Sequence, residues 1–223
     1  MVAKETKFQT KSGHIGACGN RREQAREARR LDILDAGFAE FTREGFTATR
    51  LEDVAARAGI GKGTIYLYFD SKESLFEEVV RMNLLPPVDA ILDMISKFEG
   101  STSELLTLHL HHSYAILRNE KIPALIAMVI GEGNRFPKLT DFFFREMVSA
   151  NQTIIRDIIA RGVRRGEFRE TELSAYTQIV IAPVLISAIW KLQFESLAPI
   201  DLDAFAATHI DLILNGLRKN PDT

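Results

Sequence analysis

The stretch Leu51–Phe76, LEDVAARAGIGKGTIYLYFDSKESLF, decides the fold. Two short helices joined by a three- or four-residue turn cross steeply only where the residues at the crossing are small or well placed. Val54, Ala55 and Ala58 give the first helix a small apolar face. Gly59 supplies the left-handed turn, Ile60 plugs it, and Ile65 with Tyr68 forms the facing side of the second helix. The spacing from Ala55 to Gly59 to Ile65 fits a helix-turn-helix, whose second helix enters the DNA major groove. Thr49 is placed to cap a helix over Arg50–Ala58, because its hydroxyl can accept an orphan backbone N–H. A second short helix is expected from about Lys62 to Phe69.

Working outward, residues 1–20 are polar and without periodicity, the pattern of a flexible tail. From about Glu23 the pattern turns helical, with Leu31, Leu34, Phe38 and Phe41 at three- and four-residue steps, and Gly45 ends that helix. Downstream, Asp70 or Ser71 caps a helix that runs to a break at Pro86-Pro87. Helical segments are then expected at roughly 87–99, 103–118, 122–135, 138–165, 171–197 and 201–218, with a kink or local break at Pro183.

Composition agrees with a globular helical chain. Of 223 residues, 46% are hydrophobic and 26% charged, and both values are ordinary. A lone cysteine, Cys18, cannot close an intramolecular disulfide, so nothing calls for an oxidising compartment. No apolar h-region opens the chain, and the apolar run Ile179–Trp190 is shorter than the roughly 18 residues a membrane span needs. A cytoplasmic protein without a membrane partner is expected. Net charge is −2, yet the first thirty residues hold eight Lys/Arg against three acids. Such asymmetry suits a basic arm aimed at phosphates on an acidic body, though charge runs are commonly just solvated faces.

The motif resembles the DNA-binding domain of the TetR-type repressors. Gly45, Phe46, Ala48 and Thr49 ahead of it, the core LEDVAARAG, then KGTIYLYF and SKESLF carry the resemblance, over about 45 residues. It implies an all-α protein: an N-terminal three-helix helix-turn-helix domain followed by a larger helical ligand-binding and dimerisation domain. The expected division is a basic tail over 1–22, the DNA reader over 23–72 and a regulatory body over 73–223. Gly61 and Leu67 depart from the common family pattern, so the operator sequence does not carry over.

Lys62 and Thr64 open the recognition helix, the end that a helix-turn-helix points at base edges. Gly63 lets backbone approach a base closely, or merely eases helix packing. Tyr66, Tyr68 and Lys72 can bond phosphate oxygens, although both tyrosines also suit a core role. The helix that Thr49 opens presents an anion-binding N-terminus. The resemblance implies phosphate contacts at Thr49, Tyr68 and Lys72, and base or groove contacts at Lys62, Gly63, Thr64 and Tyr66.

Other constellations weaken on inspection. GIGKGT lacks the Gly-Lys-Ser/Thr ending of a phosphate-binding loop. His109 and His112 share a helix face, which reads first as surface or satisfied core histidine rather than as a metal site. Glu132, Asn134 and Arg135 read as a solvated or salt-bridged helix end, with ligand orientation as the alternative. No catalytic set assembles, so neither an enzyme nor a cofactor is expected.

The leading functional expectation is a homodimeric repressor of a palindromic double-stranded DNA operator, released by a small, largely apolar effector. The pocket candidates are Leu108, Met128 and Phe143. Dimerisation is expected through Phe144, Val148, Ile155 and Ile159 on one long helix and Val184, Ile186 and Trp190 on another. The alternative is a DNA-binding regulator controlled by a protein partner, or by no small molecule; its signature would be a filled core without a cavity.

Overall fold

The structure, a computed structural model, describes residues 15–119 and 121–219. Lys4, Lys7 and Lys11 of the expected basic arm lie outside the described residues. Among the described residues, ten α-helices make up the fold, and no helix is long and apolar enough to cross a membrane.

Helix α1, Ile15–Ala48, begins inside the stretch expected to be tail. The run REQAREARR is dense in strong helix formers, which extends the helix upstream of its apolar stripe. That stripe buries Ile33, Leu34 and Phe41, whereas Leu31 is largely exposed. Gly45, at φ +78°, breaks the helix as expected and redirects the last residues. Helices α2 (Leu51–Arg57), α3 (Lys62–Ile65) and α4 (Lys72–Ser96) follow. Phe41, Phe46 and Phe76 then pack around one another, with ring centroids 5.3–5.7 Å apart.

The expected break at Pro86-Pro87 does not occur, since α4 runs through both prolines. Proline inside a helix costs about 3 kcal/mol. Here α4 is held along its length by α1, α5, α6, α7 and α8. Helix α9 (Gln178–Gln193) likewise continues through Pro183.

The body comprises α5 (Thr102–Ile116), α6 (Lys121–Glu132), α7 (Pro137–Phe143), α8 (Ser149–Arg164), α9 and α10 (Leu202–Leu217). Between α7 and α8, Phe144–Val148 winds as a π-helix, so the single helix expected over 138–165 is re-phased in its middle. One core cluster runs without interruption from α1–α4 into α6 and α7; Phe46 lies 4.7 Å from Phe136 across that boundary. A second cluster joins α5, α8, α9 and α10 around Leu106, Ile158 and Phe168.

Candidate nucleic-acid interface and effector cavity

The reader begins with the turn. Gly59 adopts φ +66°, and the Ile60 N–H donates to Ala55 O at 3.0 Å, which closes α2 and launches α3. The recognition helix is shorter than expected: α3 spans Lys62–Ile65, and Tyr66–Tyr68 form a hydrogen-bonded turn beyond it. Ile65 is fully buried beneath this segment, and the residues expected to touch DNA rise around it.

Lys62 and Tyr66 project outward, and both reach back to Glu52, at 3.2 Å and 3.3 Å. The Glu52 carboxyl is held below the usual carboxylate range by its own backbone N–H and by Lys62. Leu67 is 74% exposed, and Thr64 is half-buried. A Cβ added at Gly63 would meet no heavy atom within 4 Å. Internal packing therefore does not require glycine there, which disposes of the packing explanation. Tyr68 is half-buried against the core, with the Arg26 guanidinium 6.0 Å from its ring centre.

One expected phosphate contact needs correction, and a second is partly engaged within the chain. Thr49 does not cap α2; Arg50 occupies that position. Thr49 is 2% exposed, and its hydroxyl donates to Gly45 O at 2.7 Å and Glu40 O at 3.2 Å. The redirected chain after Gly45 turns this side chain inward, so its role is to lock the end of α1. Lys72 sends its ammonium to Phe46 O at 2.6 Å and Thr47 O at 3.1 Å, 4.6 Å from the centre of the Phe46 ring.

The N–H groups of those same two residues are held by the body. Glu132, the last residue of α6, accepts from Phe46 N–H at 2.8 Å, Thr47 N–H at 2.7 Å and the Thr47 hydroxyl at 2.6 Å. At its first residue, α6 is tied to α1 again, through Lys121 and Asp35 at 3.2 Å. Nothing in the sequence marked Glu132 for this, because its partner lies 86 positions away.

The body lines a half-open cavity of about 250 Å³ between α4, α5, α6, the π segment, α8 and α9. Of the three expected lining residues, only Phe143 reaches it. The cavity takes His109, His112, Ser113 and Ile116 from α5, one face at helical spacing. Leu108 is one residue out of phase with them and is 38% exposed. From α6 it takes Ile122 and Ile126, whereas Met128 faces the first core cluster. His109 is buried, and its Nε2 lies 3.1 Å from Asn151 Oδ1 on α8.

The dimerisation set divides in two. Ile155, Ile159 and Val184 are buried inside this chain, and Val148 lines the cavity. The α8 isoleucines wall the cavity and the second core, so they cannot also form a free face. Phe144 and Ile186 are about half exposed, joined by Ile179 at 57% and, on α10, Leu212 at 66%. Trp190 turns its indole N–H to Ala198 O at 2.6 Å. Among the described residues, α9 and α10 thus carry open apolar side chains, and α8 carries no exposed large one.

Residues 33–79 match the bacterial regulatory proteins of the tetR family. The chain is 27% identical over 194 residues to the HTH-type transcriptional regulator YhgD of Bacillus subtilis, covering 84% of this chain and 96% of that protein. It is 25% identical to the HTH-type transcriptional repressor KstR2 of Rhodococcus jostii, covering 86% and 92%. The fold is shared with the regulator FadR of Bacillus subtilis, solved in complex with stearoyl-CoA. That match has a TM-score of 0.68 at 19% identity and covers 83% of this chain and 98% of that one.

Proposed function

We propose that this chain is a TetR-type transcriptional regulator, a homodimeric repressor released from a palindromic operator by a small, largely apolar effector. The observation that carries the reading is the position of α6. Its Ile122 and Ile126 wall the cavity, and its final residue holds the turn that leads into the DNA reader. An occupant that displaces α6 must therefore disturb the base of the helix-turn-helix.

In this reading Lys62, Gly63, Thr64 and Tyr66 meet the groove, while Tyr68 and the third donor of the Lys72 ammonium serve the backbone. The dimer forms through the open face of α9 and α10, with Ile186 and Leu212 in contact with the partner copy. Release follows because two recognition helices must match two half-sites at once. The division of labour falls near residue 72, although α4 and the shared core bind the parts together. A protein that reads chromosomal DNA in a bacterium works in the cytoplasm.

Control by a protein partner alone would fit a filled core, and the cavity favours the small molecule. Selection from a random duplex pool with the full chain should return dyad-symmetric sites. A library compound that raises the melting temperature should then be titrated with and without the selected duplex. A hundredfold loss of DNA affinity corresponds to a coupling of about 2.7 kcal/mol, and reciprocity demands the same factor on the effector. Equal effector affinities in the two titrations would rule this control out.

A further inference from the structure

The walls of the cavity specify more than apolarity. Among the described residues, no Lys, Arg, Asp or Glu lines it. An ionised carboxylate or phosphate entering such a space would lose hydration and, among the described residues, meet no lysine or arginine to offset that cost. The polar groups are gathered instead from α5 (His109, His112, Ser113), α8 (Asn151, Gln152) and α9 (Gln178).

His109 stands out within that set. Asn151 Oδ1 is a carbonyl oxygen and can only accept, so His109 Nε2 carries the proton of that hydrogen bond. Nδ1 is then left with a lone pair, and no group among the described residues pairs with it. Burial pushes the imidazole pKa down to about 4, so the lone pair is kept at neutral pH. A buried acceptor left unpaired is costly, and a donor brought in by a ligand would relieve it.

Resting on the effector reading above, we propose that the effector is an uncharged, largely apolar molecule bearing one hydroxyl or equivalent donor, which it gives to the His109 imidazole. A cavity of roughly 150 Å³ takes benzene, so this larger one suits about two fused rings.

Four matched probes test this by titration calorimetry on the full chain: 2-naphthol, 2-methoxynaphthalene, naphthalene and 2-naphthoate. The naphthol should bind about tenfold more tightly than naphthalene or the methyl ether, a difference of about 1.4 kcal/mol. Neither 2-naphthoate nor stearoyl-CoA should compete with it. In His109→Leu the naphthol advantage should vanish while naphthalene still binds. If that variant does not fold, the naphthol-against-ether comparison in the unaltered chain decides alone. Equal binding of the naphthol and its ether, or tighter binding of the carboxylate or the thioester, overturns the donor assignment and leaves the cavity reading standing. No binding by any probe overturns both.

Discussion

The Phe46 backbone N–H donates to Glu132 Oε1 at 2.8 Å, joining residues 86 positions apart. Because Thr47 uses the same carboxylate and Lys72 closes both carbonyls, Phe46 and Thr47 are held through their N–H groups by α6 and through their carbonyls by α4. Glu132→Ala should remove charged hydrogen bonds worth about 1.5–3 kcal/mol each and lower the melting temperature. It should also weaken the effect of an effector on DNA binding, while effector affinity without DNA stays within about twofold. Glu132→Gln keeps one accepting oxygen and should fall between. Unchanged coupling in a folded Glu132→Ala protein would show that the signal travels elsewhere.

Gly63 offers a cleaner separation of fold from function. Nothing in the protein would meet a methyl group there, and alanine favours a helix by about 1 kcal/mol over glycine. Gly63→Ala should therefore melt no lower than the unaltered protein. If the backbone at this position approaches a base, the same change should cost about tenfold or more in operator affinity. Filter binding and thermal melting together check it, and full affinity would remove Gly63 from the interface.

Acid should destabilise the chain through its buried histidines. Burial holds His109 near pKa 4 and lowers His209 as well, against an ordinary value of 6.5. Between these limits the unfolded chain binds more protons than the folded one, so stability falls as pH drops from about 6.5 towards 4. For His109 the loss is capped at about 3 kcal/mol. Denaturant titrations across this window should show a shallower slope in His109→Gln. An identical slope would mean that His109 does not titrate with folding.

Two isoleucines separate the core from the proposed interface. Ile186 is 50% exposed and Ile155 fully buried. Ile186→Asp should leave a folded monomer by sedimentation, with specific DNA binding largely lost. Ile155→Asp buries an unpaired carboxylate and should fail to fold. A dimeric Ile186→Asp protein would place the interface on another face.

The reader was legible in the sequence because its geometry is local. Gly45, Gly59 and Ile65 each constrain neighbours within a few residues, and the structure puts all three where the spacing required. Thr49 was misread for the same reason. A threonine before a helix looks like a cap, and only the redirection after Gly45 turns it inward. In the body, residue type identified apolar faces but not what each face would meet. Ile155 and Ile186 look alike in sequence, yet one walls a cavity and the other faces outward. Leu108 and Met128 failed as pocket residues by one or two positions of helical phase, which a period read from sequence does not fix. The break expected at Pro86-Pro87 was overruled by packing, which local propensity does not include.

The π segment at Phe144–Val148 behaves like an insertion preserved inside a helix. Its wider turn absorbs about one extra residue, and one residue of an α-helix corresponds to about 100° of rotation. Phe143 before it and Asn151 after it both face the cavity under this winding. Excising a single residue from the segment would let the helix rewind to its ordinary pitch and swing one of these walls away. The cavity's shape is thus written partly in chain length, and deleting Arg145, which does not line the cavity, would change effector selectivity without removing any lining side chain.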